Sequence, residues 1–126
     1  MDTVINIVLI DQHTTYRESL KTVLEQIDGF HVVLDSSDGN WANAVTDIPI
    51  HLMIIDGSIG KEKCSMMIKH ALTKWKSIKT LILAMYREEL ELHYENAEVM
   101  LKSSVKSEFE EKIKKMMAEQ KNGLSQ

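Results

Sequence analysis

Apolar residues run almost unbroken from Ile5 to Ile10 and stop at Asp11, in a stretch rich in β-branched side chains. A short run of this kind predicts a strand covered on both faces, as in parallel sheets. Similar runs return at Phe30–Leu34, Leu52–Ile55, Thr80–Leu83 and, more briefly, Val99–Leu101. Between them the spacing becomes helical. Tyr16, Leu20, Val23, Leu24 and Ile27 share one helical face, and Asp28-Gly29 supplies its stop. Cys64, Met67, Ile68, Ala71, Leu72 and Trp75 form a second face; Val105, Phe109, Ile113 and Met116 or Met117 form a third. Shorter helices are predicted from Trp41 to about Val45, ahead of a turn at Pro49, and again after Tyr86.

Five strands alternating with five helices predict an α/β fold, a doubly wound (βα)5 three-layer sandwich around a five-stranded parallel sheet, because parallel neighbours need crossover connections. On the last helix, Glu108 with Lys112, Glu110 with Lys114 and Glu111 with Lys115 are spaced i,i+4 with the acid first. Each pair is predicted to add about 0.3 kcal/mol. Beyond about Lys121 the periodicity fades, so residues 1–121 read as the domain and 122–126 as a tail or the start of a linker.

The 126 residues suffice for one core and hardly for two. With 44% hydrophobic and 27% charged residues the chain reads as an ordinary folded domain. A formal charge of -4 argues against direct nucleic-acid binding. No apolar run approaches the roughly 20 residues that span a bilayer, and a lone cysteine, Cys64, fits a reducing compartment; a cytoplasmic location is expected. The five histidines and Cys64 show no HExxH or CxxC spacing, so a structural zinc site has no support in the sequence. Phosphate-binding glycine motifs are missing after the first strand, which leaves a nucleotide or flavin enzyme unsupported.

Ligand sites of doubly wound sheets lie at the carboxyl ends of the strands. The first strand ends in Asp11-Gln12, the third in Asp56, the fourth in Ala84 and the fifth in Lys102. Two carboxylates and an ammonium are thus predicted to meet at one rim. A strand-end aspartate by itself is often only a helix cap. His13, Trp41, Trp75 and Cys64 read as packing or capping residues, although His13 beside the acidic turn can shift the local charge with pH. Most of the eight methionines, among them Met53, Met67, Met85, Met100, Met116 and Met117, read as core filler, whereas Met66 falls off the apolar face of its helix.

In this order and strand context the residues resemble the receiver domains of two-component response regulators, most of all those of the LuxR/NarL group. INIVLIDQHTTYRESLKTVLEQIDGFHVV resembles the family's first strand, acidic turn and first helix. IHLMIIDGS resembles the third strand with its phosphoacceptor, KTLILAMY the fourth strand, and EVMLKSS the fifth with its lysine. The resemblance implies a flavodoxin-like (CheY-like) fold and a non-enzymatic signalling role, in which Asp56 accepts a phosphoryl group from a histidine kinase or phosphotransfer protein and a protein interface responds. It further implies that Lys102 pairs with the phosphoryl group. Mg²⁺ would be held by Asp11, Asp56 and the backbone carbonyl of Ser58. A homodimer is a further implied partner.

Five departures from the family pattern stand out. Gln12 replaces the second acid, so it is expected to be a weak ligand and Mg²⁺ binding to be weakened. Ala84 replaces a hydroxyl residue and Val99 a switch aromatic. A hydrogen bond to a charged group contributes about 1.5–3 kcal/mol, a sizeable part of the roughly 5.5 kcal/mol needed to throw a two-state switch. The loop GSIGKEKC departs from the family's pattern, and the fourth crossover is shorter by about one helical turn. These departures favour an alternative, a phosphorylation-independent pseudo-receiver that acts as an interaction or dimerisation module.

Overall fold

The computed structural model describes residues 3–43 and 47–124. Five strands, β1 (Ile5–Ile10), β2 (Phe30–Ser36), β3 (Leu52–Asp56), β4 (Lys79–Ala84) and β5 (Ala97–Leu101), form one parallel sheet in the order β2-β1-β3-β4-β5. The chain order reverses between β1 and β3, which opens a crevice at their carboxyl ends. β1 and β3 are buried along nearly their whole length because both faces are covered. This accounts for their unbroken apolar sequence.

Alternate residues of β1 serve opposite sides. Ile5, Ile7 and Leu9 pack with Leu20 and Leu24 of α1 (Thr14–Glu25) and with Phe109, Ile113 and Met116 of α3 (Lys106–Leu124). Val8 and Ile10 pack with Cys64, Ile68 and Ala71 of α2 (Lys61–Lys74). At about 1.5–3 kcal/mol for each large apolar side chain removed from water, these two layers supply the main stabilising term.

The described residues hold three α-helices where five helices were expected. The stretch predicted as a helix from Trp41 begins as a 3₁₀ turn over Gly39–Asn43, and its remainder lies outside the described residues. The fourth crossover is a 3₁₀ turn over Arg87–Glu91. Its brevity agrees with the shortened sequence there, since five residues cannot complete two α-helical turns. A further 3₁₀ turn, Gly57–Ile59, follows β3.

Several local expectations are corrected. Val105 lies ahead of α3 and is 59% exposed instead of joining the core. Met85 is exposed rather than core filler, while Met53 and Met116 are buried. Of the three pairs expected on α3, Glu110–Lys114 forms at 2.6 Å. Glu108 instead accepts from the Val105 backbone N–H at 2.8 Å, and Lys112 reaches across to Glu98 on β5. Competing partners at the helix start and on the neighbouring strand win over the i,i+4 spacing.

Candidate functional site

Asp11 directly follows β1, Asp56 ends β3 and Lys102 directly follows β5. All three are buried. Nζ of Lys102 lies 2.9 Å from Oδ2 of Asp11 and 3.5 Å from Oδ1 of Asp56. Lys102 is held from three directions. Its backbone N–H donates to the Ala84 carbonyl (2.8 Å), its own carbonyl accepts from the Tyr16 hydroxyl (2.8 Å), and the charge sits 4.5 Å above the Tyr16 ring. Tyr16 was legible as an apolar helix position; the hydroxyl that fixes Lys102 was not. Its phenol is pushed far up, first by burial and then by the charges of Asp11 and Asp56, so it remains a donor.

Asp56 is fixed by the turn that follows it. The Ser58 backbone N–H donates to Oδ1 at 3.0 Å and the Ser58 hydroxyl to Oδ2 at 2.8 Å. Burial raises the carboxyl's pKa, but the two Ser58 hydrogen bonds, Lys102 and His13 together more than offset this and hold it below its usual value. The carboxylate is therefore ionised at neutral pH. Gly57, at the start of this turn, packs so closely under β4 that a Cβ would meet the Leu83 carbonyl oxygen at 3.0 Å. The Asp11 carbonyl accepts from Arg17 at 2.6 Å, and Arg17 and Lys21 both engage Asp35 at the end of β2.

His13 joins the site, whereas its sequence favoured a packing or capping role. Its Nδ1 lies 3.1 Å from Oδ1 of Asp11, 3.2 Å from Oδ2 of Asp56 and 3.2 Å from Nζ of Lys102. Its backbone N–H donates to Oδ1 of Asp11 at 2.7 Å. Gln12 is exposed and, among the described residues, makes no hydrogen bond to the site. Asp11, His13 and Asp56 each offer one ligand atom, all within 4.8 Å of one another. Oδ2 of Asp11 is buried and lacks an aligned hydrogen-bond donor, although Lys102 is near. Two buried carboxyl groups converging in one pocket fit a divalent cation.

Ala84 is buried and Val99 half-buried. With Ser58, Leu92 and Tyr94 they border a cavity of about 280 Å³ beside Asp56. Tyr94, which the sequence pattern did not single out, is buried there beneath the Lys61 ammonium at 5.7 Å. Cys64 lies in the core, its Sγ 4.0 Å from the Asp56 carbonyl oxygen. Burial, then the Asp56 charge, pushes its thiol up to about 11, which makes it a packing residue and no nucleophile.

The sheet order β2-β1-β3-β4-β5 is that of the flavodoxin-like (CheY-like) fold, the fold of response-regulator receiver domains. Among solved structures, RcsB of Salmonella typhimurium is 22% identical with a TM-score of 0.66; the match covers 98% of this chain and 63% of that one. The non-phosphorylated receiver domain of the Escherichia coli stress response regulator RcsB aligns with a TM-score of 0.71 at 18% identity, covering 92% of this chain and 95% of that domain. A response regulator from Thermotoga maritima gives 0.72 at 18%, covering 91% and 98%. The chain thus spans 63% of the longer RcsB chain and nearly all of the isolated receiver. No family model matches the chain, and no curated protein sequence does. Among the described residues no helix is long and apolar enough to cross a membrane.

Proposed function

We propose that this chain is a receiver module that accepts a phosphoryl group on Asp56 from the phosphohistidine of a kinase or phosphotransfer protein, and so biases a protein interface. The observation that carries this reading is the buried contact of Lys102 with both Asp11 and Asp56, three residues from three separate strand ends. Phosphoryl transfer asks little covalent work of a protein and much charge cancellation and positioning. Asp56 is the ionised nucleophile, aimed by Ser58. Lys102 pairs with the incoming oxygens as a point charge held in place by Tyr16. Asp11 supports the cation, with the Ser58 carbonyl as a further ligand, while Gln12, exposed and making no hydrogen bond to the site among the described residues, adds little. A bound Mg²⁺ would neutralise charge on the transferring group. Such a module would work in the cytoplasm, pairs of copies could form a homodimer, and nucleic acid would not be touched directly.

The test is intact mass after incubation with a small phosphodonor and a divalent cation. One added phosphoryl group that is absent in Asp56→Asn supports the reading; an unchanged mass, under conditions that load an ordinary receiver, refutes it.

A second reading, a constitutive interaction module, is favoured by two observations. Ala84 has no hydroxyl to grasp a phosphoryl oxygen, and Met85, Tyr86, Leu90 and Leu92 stand exposed around the shortened fourth crossover. An apolar cluster of this kind marks a contact surface. Under this reading the same surface binds its partner equally well whether or not Asp56 is loaded.

A further inference from the structure

The crossover from β4 to β5 is too short to cover the sheet. Twelve residues, 85–96, join the two strands, and their one helical segment is the 3₁₀ turn Arg87–Glu91. Five residues at a 3₁₀ rise of about 2.0 Å span about 10 Å. The six-residue β4 beneath them is about 20 Å long at about 3.3 Å per residue. Roughly half of the helical layer beside α2 is therefore left open, and a cleft occupies it. One part is the cavity of about 280 Å³ bordered by Ala84, Leu92 and Val99. The other, of about 360 Å³, is bordered by Ser65, Ile68 and Lys69 of α2 and by His93. Lys61 and Tyr94 border both, so the two parts follow one another along α2.

We infer that this cleft docks an amphipathic helix of a partner protein, apolar on the face that enters the cleft and rich in lysine or arginine on the flank that meets residues 88–95. The inference rests on the reading of this face as a contact surface and deepens it by naming the chemistry of the partner.

Three observations support it. The first is the shape and lining of the cleft. Met85, Tyr86, Leu90 and Leu92 stand exposed along its rim. Ala84 and Val99 are small, and the cavity of about 280 Å³ beside them is deep enough for a large anchoring side chain, since roughly 150 Å³ of apolar space holds a benzene ring. Apolar anchors seated in such pockets carry most of the binding energy of an interface. The open position belongs to a layer of helices, so a helix laid in the groove is the occupant that fits it.

The second is charge. Residues 85–96 hold four glutamates against one arginine. Glu89 is turned back onto the backbone N–H groups of Met85 and Tyr86. Glu88, Glu91 and Glu95 are exposed, and among the described residues none of them makes an ion pair. An unbalanced acidic rim selects a cationic partner and disfavours an anionic one. It also disfavours a second copy of this chain, because a twofold contact through this rim sets the same glutamates against one another.

The third is the opposite wall. Lys61 lies over the Tyr94 ring at 5.7 Å, and Lys69 stands exposed two helical turns further along α2. Cationic side chains are thus favoured on the crossover side alone. The docked helix carries its positive charge on one flank, which fixes how it is rotated in the cleft.

The test uses two synthetic leucine-faced helical peptides of about 15 residues, one with lysines along a single flank and one with glutamates in the same places. Affinity is read by fluorescence anisotropy of the labelled peptide, and location by amide chemical shifts of the full chain. The lysine peptide should bind at least tenfold more tightly than the glutamate peptide, weaken as salt is raised, and shift the amides of Leu90, Leu92, Tyr94 and Ile68. Glu88→Lys combined with Glu91→Lys should weaken the lysine peptide tenfold or more. Glu18→Lys, at an exposed acid on α1, should leave it unchanged. Both variants alter exposed side chains, and their amide spectra without peptide verify the fold. Equal binding of the two peptides at this cleft, or concentration-dependent self-association through it, overturns the inference and keeps the contact-surface reading. Shifts confined to another face, or no binding of either peptide, overturn both. Loading of Asp56 is scored separately by mass, so the receiver reading stands or falls independently of the peptides.

Discussion

Removing the Lys102 ammonium leaves the buried carboxyl groups of Asp11 and Asp56 without the cation that bridges them. Breaking a buried pair by deleting one partner costs about 3–5 kcal/mol, because the uncompensated charge remains. Lys102→Met, which keeps most of the aliphatic stem against Tyr16, should lose stability in that range. Adding Asp56→Asn should restore more than half of it. Urea denaturation at pH 7 measures both; an unchanged midpoint for Lys102→Met would show that the contact does not stabilise the fold.

Asp56 also sets an acid limit. Its carboxyl is held below the ordinary value in the folded chain, so the unfolded chain binds the proton more tightly. The stabilisation is therefore complete above the ordinary carboxylate pKa and is lost as pH falls through the lowered one. The stability difference between the unaltered chain and Asp56→Asn should be level from pH 7 to about 5 and should shift only in acid. A difference that changes steadily across neutral pH would point to another titrating group.

Strands β1, β3 and β4 were legible because a buried parallel strand writes itself as a continuous apolar run. The second and fourth crossovers were not. A 3₁₀ turn of five residues is too short to show a period of its own, so short helices were expected from Trp41 to about Val45 and after Tyr86 where the structure has 3₁₀ turns over Gly39–Asn43 and Arg87–Glu91. Trp41 and Trp75 compensate on the second crossover's side of the sheet. Their rings stack at 5.3 Å and 9°, and the Trp75 indole N–H donates to the Ile48 carbonyl at 2.9 Å. Trp75→Ala should cost about 3 kcal/mol and remove the near-ultraviolet signal of the stacked pair. At the turn into β2, Gly29 has φ +87, and a Cβ there would meet the Thr3 carbonyl oxygen at 2.7 Å. Gly29→Ala should therefore destabilise by about 1–3 kcal/mol, measured as a shift in denaturation midpoint at unchanged slope. At the fourth crossover, Ala84 and Val99 predict weak coupling between phosphoryl loading and the β4–β5 rim. Amide exchange near these two residues should change little on loading; strong new protection there would contradict that.

The two carboxylates and the lysine of the site could be anticipated because strand ends converge in any doubly wound sheet. Tyr16, Tyr94 and the inward turn of His13 could not, since each depends on where a side chain points once α1 and β5 are docked. The fold explains the division: the sheet's order is written in the strands, while the clamp around Lys102 joins residues 86 positions apart. The central claim is that this clamp makes Asp56 a phosphoacceptor, and its most direct test is the rate of phosphoryl gain, followed by intact mass, in the unaltered chain, Lys102→Ala and Asp11→Asn. The account predicts loading of the unaltered chain and a slowing of about tenfold or more in both variants, with the fold retained. Equal rates in all three, or no loading of the unaltered chain, would contradict it.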